Sequence, residues 1–197
     1  YWGDFCDIVQ VDVYPFPHSP LTQVSDKARE AKKAMQSWQN LSFVVQCGWM
    51  KDLSNQPSAA QARSMVYLAL IEGARGIWWY SMREASGWDL TKTPLWPHMK
   101  TINAEIQALS EPLMLGTVAT GVSCGQAGVL FRAMEYQGET YLLVTNPENK
   151  PVQATFTLPK NLRSWRPLAS DASRAMTNRQ LRVSLQGFDS RTLVLKR

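Results

Sequence analysis

The sequence predicts an α/β portion followed by an all-β portion: the carboxyl-terminal part of a TIM (β/α)8 barrel, about three β/α units, and then an antiparallel β-sandwich. Two observations lead to this prediction. Strand and helix patterns alternate three times before Pro112, and short alternating strands separated by turns fill the remainder. The chain has 197 residues, 45% of them hydrophobic, which is enough to build two cores. We predict domains at 1–114 and 115–197.

The first portion contains three strands, each followed by a helix. The predicted elements are a strand at 6–14, a helix at 25–39, a strand at 42–47, a helix at 57–73, a strand at 76–80 and a helix at 96–109. The strands are rich in β-branched and aromatic residues, and the helices repeat apolar residues at helical spacing. Because a parallel return needs a connection of about helix length, this alternation predicts parallel strands joined by right-handed crossovers.

The second portion shows the period of two that is typical of antiparallel strands. The predicted strands lie at 128–136, 139–146, 152–158, 181–185 and 191–195. Gln137-Gly138 and the run 146–149, Asn-Pro-Glu-Asn, are turn signals between them. This pattern predicts a small antiparallel sandwich.

Charge and composition exclude several classes of partner. The formal charge is +5, and its excess is spread singly over the last third of the chain, unlike the clustered stripe of a nucleic-acid-binding protein. No run of about 18 apolar residues is present, so no membrane span is predicted. Cys6, Cys47 and Cys124 lack the spacing of a metal site or a disulfide framework, and we expect free cysteines, no metal and no cofactor.

The location of the protein and the start of the chain are left open by the sequence. An odd number of cysteines fits the cytoplasm, whereas a periplasmic or secreted origin also remains open. The chain begins at Tyr1 with neither an initiator methionine nor a signal pattern. We therefore expect a processed end or a piece of a longer protein.

Residues that suit a sugar follow each predicted strand of the first portion. An open nucleotide-binding sheet would need a glycine-rich phosphate loop after a strand, and no such loop is present. In a barrel, ligands bind where strands end, and aromatic faces with a few directed polar groups suit a pyranose. The predicted ligand-contacting residues are Tyr14, His18, Gln46, Trp49, Trp79, Tyr80, Arg83 and Trp88. Adjacent strand residues face opposite sides, so only one of Trp78 and Trp79 can line this site.

Several segments carry a family resemblance. The segments 7–15, 43–49 and 62–80 resemble the sixth, seventh and eighth strand regions of bacterial (β/α)8 glycoside hydrolases of the β-galactosidase-like type. The segment 185–195 is similar to the last strands of the β-sandwich that follows such barrels. The resemblance implies a carbohydrate ligand and two catalytic glutamates, at the ends of the fourth and seventh strands. The fourth strand would lie upstream of Tyr1, and Gln46 stands at the end of the seventh.

Because an amide does not form a glycosyl ester, other carboxylates are considered for catalysis. Asp12 lies near the end of the first strand, where it either faces a cleft or anchors the proline-rich loop. Glu84 follows the third strand beside Arg83, where the two form either a ligand-binding pair or an exposed ion pair. Asp12 and Glu84 are therefore the predicted catalytic residues.

Three functional hypotheses remain open. The first is a glycoside hydrolase whose acid residue lies in missing upstream sequence, so that this fragment alone is inactive. The second is a non-catalytic sugar-binding protein on a degenerate barrel, and the third is a fragment without independent function. Three barrel units leave a strand edge uncovered. We therefore expect association with the missing barrel portion, in the same protein or a separate chain, or self-association.

Overall fold

A computed structural model describes residues 6–49, 51–176 and 178–197. The chain divides into two compact units, Tyr1–Ile102 and Asn103–Arg197. This division of contacts falls inside a helix, α3 (Trp96–Ala108). The division into domains at 1–114 and 115–197 rests on the change of sequence pattern and stays a prediction.

The first unit is built around a parallel three-stranded sheet. Its elements before α3 are β1 (Ile8–Val13), α1 (Gln23–Ala34), β2 (Asn40–Gln46), α2 (Ala59–Ile71) and β3 (Gly76–Tyr80). The strand order is β1-β2-β3, and both pairings are parallel. The strand–helix alternation predicted from the sequence is therefore present.

The two faces of this sheet differ sharply in exposure. Phe43 and Val45 point to one face and are 0% and 2% exposed, since α1 and α2 pack on β1 and β2. Val44 points to the other face, and its register partners there are Asp12 and Trp78. Trp78 is 61% exposed. Among the described residues, this second face is therefore open.

Helix α2 begins with a capping box and is buried almost throughout. The Ser58 hydroxyl accepts a hydrogen bond from the Gln61 backbone N–H at 3.2 Å, and the Ser58 N–H donates to Gln61 Oε1 at 2.8 Å. At the other end, the Glu72 carboxylate is 9% exposed and contacts Arg29 at 2.6 Å and Lys32 at 2.9 Å. These two contacts tie the end of α2 to α1.

Helix α1 is shorter than the sequence predicts. It ends at Ala34, because Met35 has an extended backbone with φ −76° and ψ 146°. Trp38 continues the apolar period, yet its side chain is 51% exposed and belongs to the loop before β2. The prediction of a helix through residue 39 is therefore wrong at its carboxyl-terminal end.

The second unit consists mainly of two antiparallel sheets that share one core. After α4 (Ser110–Leu115) come β4 (Thr117–Val118), β5 (Ser123–Cys124), β6 (Leu130–Tyr136), β7 (Glu139–Thr145), β8 (Val152–Thr157), β9 (Ser164–Pro167), β10 (Arg174–Ala175), β11 (Gln180–Leu185) and β12 (Ser190–Lys196). The strand orders are β10-β9-β12-β7-β6-β4 and β11-β8-β5. Leu142 and Leu195 from the larger sheet and Phe156 and Leu185 from the smaller one belong to one buried cluster.

Five short elements of this unit were missed by the sequence analysis: α4, β4, β5, β9 and β10. Pro112 suggested the end of helical structure, but it lies in the first turn of α4, where a proline costs no helical hydrogen bond. The missed strands have only two to four residues, too few for a period of two to be visible.

None of the helices in the described part of the chain is long and apolar enough to cross a bilayer.

Candidate functional site

Two tyrosines meet at the carboxyl-terminal edge of the parallel sheet. Tyr14 follows β1 and Tyr80 ends β3. The strand β2 lies between β1 and β3 in the sheet. Their rings nevertheless stack, with centroids 5.3 Å apart and planes inclined by 26°. Tyr80 is 41% exposed and Tyr14 is half-buried. The pair therefore offers an aromatic surface where parallel strands place their ligands.

Each tyrosine interacts with a carboxylate. Burial raises the pKa of Tyr14, and hydrogen bonding to the Asp12 carboxylate raises it further. Hydrogen bonding to Glu84 raises the pKa of Tyr80, while the hydroxyls of Ser81 and Tyr80 lower the pKa of the Glu84 carboxyl. At neutral pH both phenols are therefore neutral donors, and Glu84 is ionised. We call Asp12, Tyr14, Tyr80 and Glu84 the tyrosine–carboxylate cluster.

Gln46, at the end of β2, is a buried clamp on the loop after β1. Its side-chain Nε2 donates to the carbonyl oxygens of Phe16 at 3.0 Å and Gly48 at 2.9 Å, and its Oε1 accepts from the Phe16 N–H at 3.0 Å. The residue is only 1% exposed. The amide is thus engaged with the main chain, and its predicted contact with a ligand has no support in this geometry.

A second glutamine fixes the loop after β2. Gln56 Oε1 accepts from the Trp49 N–H, and its Nε2 donates to the carbonyl oxygen of Trp49 at 2.9 Å. The Trp49 ring meets the exposed His18 ring edge-on at 5.3 Å, and Lys51 Nζ lies 5.4 Å from the Trp49 ring centroid. His18 and Trp49, both predicted from the sequence, are therefore brought into contact.

Trp78 and Trp79 divide between the two faces of the sheet. Trp78 lies two residues before Tyr80 and shares its face, and Trp79 points to the opposite face together with Val45. The sequence predicts a ligand contact at Trp79, whereas the register places Trp78, not Trp79, on the same face as Tyr80. The strand period alone does not say which of two adjacent tryptophans faces inward, because both are large and apolar.

The loop after β3 uses its predicted residues differently from the expectation. Arg83 Nε contacts Asp89 at 3.4 Å, a partner that the sequence does not indicate, and a pairing of Arg83 with Glu84 stays a prediction. Trp88 is 4% exposed, and its Nε1 donates to the carbonyl oxygen of Ser81 at 2.7 Å. Its ring lies against Gly48, where an added methyl group would overlap it. Trp88 is therefore a buried support of the loop after β3. A ligand contact at Trp88 stays a prediction.

Among the described residues, no group of three His, Cys, Asp or Glu side chains is arranged to hold a metal. Cys47, next to Gln46, is buried, and burial raises the pKa of its thiol to about 12. This thiol is therefore protonated at neutral pH, and its Sγ lies 3.4 Å from the carbonyl oxygen of Ser81.

Comparison with solved structures reveals proteins of the same architecture. A GH27 β-L-arabinopyranosidase from Geobacillus stearothermophilus superposes with a TM-score of 0.66 at 12% identity, over 98% of this chain and 46% of that chain. A Bacteroides fragilis protein assigned as an α-galactosidase/melibiase gives 0.64 at 11% identity, over 96% and 42%. An Anoxybacillus α-amylase gives 0.57 at 12% identity, over 89% and 45%.

This chain has the fold of a part of these glycoside hydrolases. At such low identities the similarity establishes the fold alone, and the chain spans less than half the length of each of the three structures. The sequence itself matches no protein-family model and no curated protein. The resemblance to glycoside hydrolases is therefore confirmed at the level of the fold, and the narrower β-galactosidase-like type stays a prediction.

Two residues at this edge of the sheet, Gln56 and Asp89, were not predicted, and Trp78 was named only as the alternative to Trp79. Trp78 had a usable signal, since residues two apart in a strand share a face and Tyr80 was already a candidate. Gln56 and Asp89 act through loop backbones and through Arg83, in contacts that only the folded chain creates. No sequence pattern marks them.

Proposed function

We propose that this chain is part of a carbohydrate-active protein of the glycoside hydrolase type, acting on an oligo- or polysaccharide. In this proposal the three β/α units are the carboxyl-terminal portion of a (β/α)8 barrel, and the two antiparallel sheets form the trailing β-sandwich. The stacked pair of Tyr14 and Tyr80, with Asp12 and Glu84 beside it, carries the proposal. Aromatic rings stack on the apolar face of a pyranose, and carboxylates accept hydrogen bonds from its hydroxyls.

Hydrolysis of a glycosidic bond usually requires a protonated carboxylic acid and a carboxylate. The hydroxyls around Glu84 lower its pKa, which suits a nucleophile, a base or an acceptor of sugar hydroxyls rather than a general acid. The acid would then be Asp12 or a residue supplied by the remaining barrel portion. We expect this chain alone to release no sugar, and a longer protein with that portion to cleave a glycoside.

A second candidate function is sugar binding without catalysis. The observation in its favour is Gln46, whose amide is engaged by three main-chain hydrogen bonds at the end of β2. A residue so engaged does not become a nucleophile. In this case a longer protein would bind an oligosaccharide but would not cleave it.

Removing one ring of the stacked pair is expected to weaken sugar binding. Tyr80→Ala takes away half of the stacked aromatic surface, and we expect at least a tenfold loss of affinity, about 1.4 kcal/mol. The ligand is first selected on an array of neutral oligosaccharides, and calorimetry then gives the affinity of the chain and of the variant. Trp38→Ala, at an aromatic residue before β2 that is 51% exposed against 41% for Tyr80, is the matched control.

Two results would count against sugar binding at this cluster. The first is an array on which no neutral oligosaccharide is retained by the folded chain. The second is an equal loss of affinity in Tyr80→Ala and Trp38→Ala, which would place the ligand elsewhere. Turnover by a longer protein, tested on the selected sugar, separates the hydrolase from the binding protein.

The open face of the parallel sheet supports the proposed association. Ile8 and Trp78 on this face are 58% and 61% exposed, and in the described residues β1 and β3 each pair only with β2. Apolar surface and free strand edges of this kind favour pairing with further strands. We propose that the remaining barrel portion covers this face and that, without it, the chain self-associates.

Trp78→Asp is expected to raise the fraction of monomer. A charge on the open face opposes its burial, so sedimentation of the variant at micromolar concentration should show less oligomer than sedimentation of the parent chain. Trp38→Asp changes an exposed tryptophan away from that face and should leave the distribution unchanged. A parent chain that sediments as a compact monomer would disprove self-association.

A further inference from the structure

Four basic residues collect on two adjoining segments of the second unit. Lys160 and Arg163 lie between β8 and β9, and Arg174 and Arg179 lie in and after β10. The backbone joins these segments at several points. The Leu158 N–H donates to the carbonyl oxygen of Arg179 at 2.9 Å, and the Met176 N–H donates to that of Arg163 at 2.8 Å. We call these four residues the basic rim.

The basic rim carries positive charge that its surroundings do not neutralise. All four side chains are exposed, and in the described part of the chain no carboxylate lies within ion-pair distance of them. Between residues 157 and 183 the sequence contains six basic residues and one acidic residue, Asp171. By contrast, Arg166 and Lys196 on the same sheet are paired with Glu139, at 3.8 Å and 2.8 Å.

Two of the arginines are held by contacts that leave donors available. The Arg174 guanidinium lies 4.9 Å from the centroid of the Trp165 ring. Arg179 donates from Nε to the carbonyl oxygen of Leu158 at 3.1 Å, which leaves both terminal nitrogens for a ligand. Arg179 also has a φ of 56°, in the left-handed region that favours glycine. Arg179 thus adopts a backbone conformation that glycine adopts more easily.

We propose that the basic rim binds an acidic carbohydrate, a chain bearing uronate carboxylates. The guanidinium group is planar and matches a carboxylate with two parallel hydrogen bonds, and anchored guanidiniums lose less freedom when they bind. That the anion is carried by a carbohydrate rests on the proposed function. A single-stranded nucleic acid would need open aromatic faces for its bases, and the Trp165 ring is already covered by Arg174.

Binding of an oligogalacturonate to the full chain tests this proposal. Calorimetry compares the oligogalacturonate with its methyl-esterified, uncharged form, at low and at high salt. The chain is expected to bind the acidic form at least tenfold more tightly, with an affinity that falls as salt rises. The variant Lys160→Gln/Arg163→Gln/Arg174→Gln is expected to lose at least tenfold in this affinity.

Two control variants make the result specific. Lys27→Gln/Lys33→Gln/Lys100→Gln removes the same charge from the first unit and is expected to bind like the parent chain. Lys160→Gln/Arg163→Gln leaves the Arg174–Trp165 contact intact, so a loss of binding in this double variant does not come from loss of that contact. Equal binding of the esterified form, or an equal loss in both triple variants, would overturn the proposal.

Two other polyanions, a DNA duplex and an anionic phosphatidylglycerol vesicle, serve as competing probes. If a DNA duplex or an anionic phosphatidylglycerol vesicle bound more tightly than the oligogalacturonate and lost affinity in the rim variant, the rim would belong to that partner instead. Failure of the proposal for the basic rim is distinguishable from failure of the proposed function. Tyr80→Ala changes binding of neutral sugars only, and the rim variant changes binding of the acidic chain only.

Discussion

Gln46→Glu is expected to destabilise the first unit by about 3 kcal/mol at pH 8 and to create no nucleophile. The amide nitrogen donates to the carbonyl oxygens of Phe16 and Gly48, and an ionised carboxylate would face both of them without a proton to donate. The site is only 1% exposed, so water cannot replace the lost hydrogen bonds. Urea unfolding of the parent chain and the variant measures the difference.

The cost of this substitution should depend on pH. Burial against two carbonyl oxygens raises the pKa of the introduced carboxyl in the folded chain above its unfolded value. Stability of the variant is then highest below the unfolded pKa of about 4.3 and falls as pH rises through the folded pKa. The gap between the parent chain and the variant should therefore widen between pH 5 and pH 8.

Gln56→Glu is the matched control for this prediction. Gln56 clamps the backbone of Trp49 just as Gln46 clamps that of Phe16, but its side chain is partly exposed and water can substitute for the lost donor. We expect a cost below about 1 kcal/mol. Equal stability of Gln46→Glu and the parent chain, or glycoside turnover by Gln46→Glu, would contradict our account of Gln46.

Gly48→Val is expected to cost about 3 kcal/mol, because it forces a branched side chain into the Trp88 ring. A Cβ atom at residue 48 would lie 2.7 Å from Trp88 Cε2 and 2.8 Å from Cη2. The ring does not move aside easily, since Trp88 is buried and its Nε1 donates to the carbonyl oxygen of Ser81. Urea unfolding gives the cost, and tryptophan fluorescence should shift to longer wavelength as Trp88 becomes exposed.

Two further variants identify the cause of that cost. Gly125→Val adds the same side chain where no atom lies within 4 Å of the Cβ position, and we expect a change within about 0.5 kcal/mol. Trp88→Leu combined with Gly48→Val should cost less than the sum of the two single changes, because the smaller side chain relieves the overlap. Strict additivity would show that Gly48 and Trp88 are not in contact.

The elements of the first unit followed from periodicity, and its site followed only in part. β3 was predicted with its observed bounds, and α2 within two residues at each end, because strong apolar patterns and the Ser58 cap mark them. The end of α1 was missed, since Trp38 fits the apolar period but lies outside the helix. The spacing of apolar residues shows which side chains would share one face of a helix. Tertiary packing decides whether the helix extends that far and whether those side chains are buried.

The site was predicted as a set of residues at strand ends but not as a set of contacts. Tyr14 and Tyr80 are 66 positions apart in the chain, and only the parallel register brings their rings together. Gln46 looked like a substituted catalytic residue, and its role as a clamp depends on the backbone of a loop thirty residues away. Such long-range hydrogen bonds leave no signature in the order of residues.

Three uncharged side chains hold the loops around the tyrosine–carboxylate cluster. Gln46 and Gln56 hold the two loops with neutral amides, and Trp88 holds the third with an indole N–H. Acidification of the solution does not change the charge of these three groups, so their hydrogen bonds to the loop backbones are expected to persist at low pH. A pH dependence of ligand affinity would then come from charged groups at this edge of the sheet and not from these three supports.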